Sequence, residues 1–253
     1  MKNYILSLKL FVIAIFLCSI TNKADAQLYE IFEYIDRAAT ARQQISELKE
    51  GTLVVRLPSK RNNIKALEKS LASGNLNPSQ RSRLERRLKN TIIERDKTST
   101  GIIKGLAQHY NFSKYRVVYD HDISQLFDNV EKGYFLDQKM KIDPSISIDL
   151  SKPFYVLGNG FTSRTTNIGS EGYIFFDQEN KQLYGPFPYF YGPKYPAGSS
   201  LIAFFGGGDT LVPNYSSMVK KIDKSLNRFY ARAQIRAEKL KLKKQLKDLK
   251  DGN

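Results

Sequence analysis

Thr52-Leu-Val-Val-Arg-Leu57 is β-branched and almost wholly apolar, and Pro58 stops it. Such a run reads as a strand buried on both faces, the situation of a strand inside a parallel sheet. A second run of this kind, Tyr115-Arg-Val-Val-Tyr119, follows after a long stretch of helical pattern. Strand, helix and strand in that order predict a crossover unit with its two strands parallel and a right-handed connection. Ser59 is placed to cap a helix running to about Ala72. Gly74 to Pro78 reads as a turn, and Pro78 suits the first turn of the next helix, which extends to about Tyr110. Thr98 to Gly101 is a run of poor helix formers, so a break or bend is expected there.

The pattern changes beyond Tyr119. Ile123 to Asn129 suits a short helix, and Gly133-Tyr-Phe-Leu-Asp137 reads as a third strand. Phe154–Leu157, Gly172–Phe176, Gln182–Tyr184 and Ser200–Phe205 are short apolar runs separated by Gly, Asn and Pro, with no room for helical crossovers. They are expected to form antiparallel hairpins, with Asp177 to Lys181 as the clearest tip. Tyr184 to Pro196 is rich in Pro, Gly and Tyr, and its extended geometry suits covering a sheet edge.

Helices flank this region. Leu28, Ile31, Phe32, Ile35, Ala38, Ala39, Ile45 and Leu48 recur at helical spacing before Gly51. Asn214 can cap a last helix from Tyr215 to about Leu249, with Val219, Ile222, Leu226, Phe229 and Ala233 on one stripe. Ile235, Leu242, Leu246 and Leu249 lie on a different line, so the stripe slips partway. Thirty-five helical residues span roughly 50 Å, longer than a domain of this size is wide, and the end is expected to project. The fold class expected is therefore α/β: one domain over residues 27–219, its mixed sheet parallel first and antiparallel later, with a long basic C-terminal helix over residues 220–253.

The N-terminus bounds where the chain works. Lys2 and Lys9 precede the apolar run Leu10 to Leu17, and Ala24-Asp25-Ala26 places small residues at the −3 and −1 positions of a signal-peptidase site. Residues 1–26 thus read as a cleavable signal peptide and the chain as secreted or periplasmic, beginning at Gln27. The apolar run falls short of the about 20 residues that a permanent span needs. Lipidation at Cys18 is the rival reading, against which Phe16-Leu17 puts a bulky residue where a small one is required. Cys18 is the only cysteine, so the chain from Gln27 would hold no disulfide and no thiolate ligand. Its 227 residues can bury one sizeable core, for which fifteen Tyr and fifteen Phe supply the aromatic surface in the absence of Trp.

Gly51–Pro58 with Asn63-Ile-Lys-Ala-Leu67, Asn111-Phe-Ser-Lys114, Gly133–Asp137 with Asp143-Pro-Ser145, and Gly185-Pro-Phe-Pro-Tyr189 carry a likeness. On these residues the chain resembles a group of uncharacterised secreted proteins of the Bacteroidota. It covers most of residues 27–190 and thins toward the C-terminus. The resemblance implies export and an α/β fold, and brings no activity with it.

Charge is unevenly placed. Residues 56–104 hold thirteen Lys and Arg against four Asp and Glu, and residues 220–250 hold twelve against three, so each segment carries +9. Solvated helix faces account for such runs, and so does contact with an anionic membrane surface, a glycan or an acidic protein. Nucleic acid is not the expected partner, because the aromatics cluster in residues 105–219, a segment of net charge −2, rather than among the arginines.

Candidate chemistry gathers at the strand ends. Asp120-His121-Asp122 follows the second strand, at the carboxyl end where open parallel sheets place their sites. Strand alternation would point the two carboxylates one way and His121 the other, with Asp122 capping the next helix. Asp137 could join Asp120 and Asp122 in a carboxylate cluster for Mg²⁺ or Ca²⁺, although no metal or cofactor is expected overall. Ser59-Lys60-Arg61 opens a helix and offers amides, a hydroxyl and two cations to an anion, without the glycines of a phosphate loop. Gly206-Gly-Gly-Asp209 reads as a flexible turn. No Gly-x-Ser-x-Gly and no His-Glu-x-x-His occurs. The leading expectation is an exported, non-catalytic protein that binds an anionic surface or partner through its basic helices. The alternative is an enzyme acting on a phosphorylated or anionic small molecule with Ser59, Lys60, Arg61, Asp120, His121 and Asp137.

Overall fold

The computed structural model describes residues 34–162, 169–192 and 213–251. Helix α1 is described over residues 34–50 and is followed by β1 (Thr52–Leu57), α2 (Arg61–Ala72), α3 (Pro78–His109) and β2 (Lys114–Tyr119). Then come α4 (Ile123–Phe127), β3 (Phe154–Phe161), β4 (Glu171–Phe176), β5 (Phe190–Tyr191) and α5 (Tyr215–Asp251). Among the described residues one five-stranded sheet results, in the order β2-β1-β3-β4-β5. It is mixed, as the sequence implies, with β1 parallel to β2 and β3, and β4 antiparallel to β3 and β5.

Alternation along β1 divides the core. Leu53, Val55 and Leu57 face a layer built from Ala41, Ile45 and Leu48 of α1, Ile102 and Leu106 of α3, and Val219, Ile222 and Leu226 of α5. Val54 faces the other way, into Val118, Val156, Ile174, Leu126, Tyr134 and Phe135. Each fully buried aliphatic side chain contributes about 1.5–3 kcal/mol relative to exposure, which explains the continuous apolar run. In α1 the buried line is Ala38, Ala41, Ile45 and Leu48, whereas Ile35 and Ala39 are exposed. Leu28, Ile31 and Phe32 lie outside the described residues, as do the expected signal peptide, Ser200–Phe205 and Gly206–Asp209.

Three expectations change in detail. Phe154–Leu157 pairs antiparallel with β4, as expected, but on its other edge it also lies parallel to Thr52–Val55 in β1. The crossover that makes this possible is not a regular helix: it is α4 plus the loop 128–153, which supplies Tyr134, Phe135 and Ile148 to the second face. Gly133–Asp137 is accordingly not a strand of the sheet: it makes the bridge Leu136↔Ile142 within its own loop and donates Leu136 N–H to the Val117 carbonyl. Third, α3 runs unbroken through Thr98–Gly101. Small residues there let a second helix approach: a Cβ on Gly101 would sit 3.3 Å from Tyr215 Cβ, and one on Gly105 3.0 Å from Ser216 Cα. Packing on α5 outweighs the poor propensity.

Local chemistry sets other element ends, although Lys60 rather than the expected Ser59 takes the N-cap position of α2. Asn77 and Gln80 form a capping box around Pro78, and Asn214 Oδ1 accepts Ser217 N–H at 2.9 Å at the start of α5. Asp177 Oδ1 accepts the N–H groups of Glu179 and Lys181, closing the tip after β4 with Asn180 at φ 58°. Of the Pro-rich stretch, Phe187 is buried and Phe190–Tyr191 pairs as an edge strand; residues 193–196 lie outside the described set.

Candidate functional site

Parallel register brings the carboxyl ends of β1 and β2 level, with Leu57 opposite Tyr119 and Asp120 N–H bonded to the Leu57 carbonyl at 2.9 Å. Pro58 ends β1, and the chain turns into α2 through Lys60, which adopts a left-handed conformation at φ 50°. A non-glycine residue there costs about 1–2 kcal/mol, so neighbouring contacts must hold the turn. Ser59 N–H donates to Asp120 Oδ1 at 3.1 Å, and Arg61 N–H donates to Ser59 Oγ at 3.3 Å. Lys60 Nζ reaches across to Glu94 Oε1 of α3 at 2.6 Å.

His121 stacks on Tyr119, ring centroids 5.6 Å apart and 13° from parallel. Its Nδ1 lies 3.6 Å from Asp120 Oδ1 and its Nε2 3.3 Å from Asp122 Oδ2. The three side chains thus face one another rather than alternating. A turn closed by Asp122 N–H on the Tyr119 carbonyl ends the strand geometry before alternation applies. Asp122 occupies the N-cap position of α4 without a side-chain cap bond, and accepts Gln125 Nε2 at 3.3 Å instead. Burial pushes the Tyr119 phenol above its ordinary range.

A cavity of about 400 Å³ is lined by residues 59–63 with Asp120 and His121. Five of the six proposed residues therefore meet. Asp137 does not join them: its Oδ1 accepts the N–H groups of Lys139 and Lys141, both at 2.8 Å, beside the outer edge of β2. No group of three or more His, Cys, Asp or Glu among the described residues is placed to hold a metal ion, so Asp137 does not join Asp120 and Asp122 in a carboxylate cluster. What does form is a latch. The Ser59 amide, which an anion would use, is taken by the protein's own carboxylate, and Lys60 is neutralised by Glu94.

Glu94 is the residue that sequence reasoning missed, since nothing in the spacing ties it to Lys60. It also borders a larger cavity of about 790 Å³, together with Thr98, Asn159, Glu171, Tyr173 and Tyr215. Asn159 Nδ2 donates to Glu171 Oε1 at 3.0 Å on its wall, and burial raises the Tyr173 phenol far above its ordinary range.

The basic segments occupy opposite ends of the molecule. Helix α5 runs alongside α3 in the same direction, from Tyr215 at Gly101 to Asp223, whose Oδ1 accepts Asn111 N–H at 2.8 Å. It then continues past the end of α3. In the other direction, α2 has no buried residue and the buried residues of α3 are confined to Thr98–Leu106, so α2 and the first half of α3 form a helical hairpin extending beyond the core. Residues 60–89 hold nine Lys and Arg against two acids. The buried face of α5 ends at Ala233, after which residues 234–250 are exposed without exception. They carry seven Lys and Arg against two acids.

Among the described residues no helix is long and apolar enough to cross a membrane. Comparison with family models, curated proteins and solved structures gives no match.

Proposed function

We propose that the chain is an exported, non-catalytic binding protein of the cell envelope or its surroundings, which engages an anionic surface or partner through basic helices. One observation carries this reading: α5 leaves the core at Ala233 and continues for seventeen further residues, 234–250, exposed on every side and bearing a net charge of +5. A helix so exposed gains nothing from its own domain, and its cations are available to an external anion. Each contributes about 1 kcal/mol near an anionic surface at low salt. The self-satisfied latch of Ser59, Asp120, Lys60 and Glu94 favours binding over catalysis at the strand ends. Export rests on the pattern of residues 1–26 and is tested by intact mass: the secreted form should begin at Gln27 and carry no lipid.

The binding reading is tested by deleting residues 236–253. The shortened protein should keep its melting temperature and cosediment more weakly with anionic vesicles in low salt. Unchanged cosedimentation would refute the arm. Unfolding would place the distal helix in the core.

A further inference from the structure

The exposed part of α5 carries a second apolar line. On a helix of 3.6 residues per turn, Ile235, Leu242, Leu246 and Leu249 fall within about 60° of one another, nearly on the opposite side from Val219, Ile222, Leu226 and Ala233. The four are 54–70% exposed, against at most 7% for the packed line. Their domain cannot cover them by bending the helix back along its existing contact, because they face away from it.

The spacing of seven, four and three is that of the d, a and d positions of a heptad, with Lys239 at the remaining a position. In this register every e position is basic: Arg236, Lys243 and Lys250. The g positions are Glu238 and Gln245, so the cations line one side of the seam only. Leu240, 56% exposed, lies at a b position on the other side of the helix. Apart from it, the large exposed apolar side chains here keep to a and d, the narrow seam that another helix fills, whereas a helix lying in a bilayer presents a wider apolar face. Residues 234–250 also contain no aromatic side chain to anchor such a face. A second copy of this chain suits the seam poorly. In a parallel pair Lys239 would meet Lys239, and in an antiparallel pair the basic e positions would face each other.

We propose that this seam receives an acidic amphipathic helix of a partner protein, with leucine-like side chains in the a and d layers and carboxylates opposite Arg236, Lys243 and Lys250. The proposal rests on the reading of α5 as a binding arm and names the class of partner. Charge supplies the choice of partner and its orientation, and the four aliphatic side chains supply the contact that distinguishes a helix from any other polyanion.

The test uses a synthetic four-heptad peptide with Leu at a and d and Glu at e and g, a scrambled peptide of the same composition, heparin, and anionic vesicles. The protein should bind the heptad peptide at least about tenfold more tightly than the scrambled one, a difference of about 1.4 kcal/mol. Leu242→Gln with Leu246→Gln should abolish that preference while leaving the melting temperature and heparin retention unchanged. Lys243→Glu with Lys250→Glu should reduce binding of the Glu peptide and favour a Lys counterpart. Equal binding of heptad and scrambled peptides, or indifference to the leucine changes, would overturn the seam. So would vesicle binding that needs the leucines without any peptide binding, which makes the arm a membrane helix. Failure to bind heparin, vesicles and peptides alike would instead refute the arm itself.

Discussion

Asp120 accepts the main-chain N–H of Ser59 at 3.1 Å, so the carboxylate that ends β2 fills the donor that opens α2. This bond ties two parallel strand ends to one turn and holds Lys60 in its left-handed conformation. Replacing Asp120 by Ala leaves a buried amide unpaired and should cost about 1–3 kcal/mol. Asp120→Asn keeps an acceptor and should cost less than half as much. Urea denaturation of the two variants checks the ranking; equal losses would show that charge, not the bond, matters.

Gly51 is held against Pro153. A Cβ at position 51 would lie 2.0 Å from the Pro153 carbonyl oxygen, and that oxygen accepts Thr52 N–H at 3.0 Å, starting the β1–β3 pairing. Gly51→Ala cannot relieve the clash without losing this register. It should destabilise by about 3 kcal/mol or more, read as a lower urea midpoint or loss of soluble protein.

Buried phenols make the fold sensitive to alkali. Burial raises Tyr134 and Tyr191 to about 12, and raises Tyr110, Tyr155 and Tyr173 further still. Tyr155 also donates to Glu47 Oε2 at 2.6 Å, which opposes its ionisation. An unfolded tyrosine ionises near 10, so these groups support the fold fully below about pH 10 and that support is lost as pH rises through the folded values. Tyrosinate absorbance should therefore rise in two stages, exposed phenols first and buried ones together with loss of secondary structure. A single smooth titration near pH 10 with the fold intact would contradict the burial.

An exposed carboxylate offers the opposite sign. Hydrogen bonds from Ser145, hydroxyl first and then amide, hold Asp143 below the usual carboxylate range. Its contribution is present above the unfolded value and is lost as pH falls through the folded one. NMR titration should show the Asp143 carboxyl moving upward in Ser145→Ala; no movement would exclude the hydroxyl as the cause.

Some of this was legible in the sequence. The run Thr52–Leu57 fixes a doubly buried strand because both faces must be apolar, and Pro78 and Asn214 announce helix starts through chemistry confined to a few residues. What depends on distant partners was not legible. Thr98–Gly101 reads as a break until α5, more than a hundred residues later, is packed on it. Apolar periodicity marks Phe154–Leu157 as a strand but carries no direction, which the loop 128–153 decides. At the candidate site, strand-end position predicts that Ser59, Asp120 and His121 meet, while the pairing of Lys60 with Glu94 and the separation of Asp137 follow from the placement of α3 and of a local turn.

The most direct measurement is the salt concentration that elutes the protein from heparin, before and after neutralising Arg236, Lys239, Lys243, Lys247 and Lys250 with Gln. These positions are exposed and lie beyond the last buried residue of α5, so the melting temperature should not change. If α5 is the binding arm, elution shifts to clearly lower salt, since exposed charges act only within a screening length of roughly 8 Å at physiological ionic strength. Elution at the original salt would contradict the account and move the contact to the α2–α3 hairpin at the other end of the molecule.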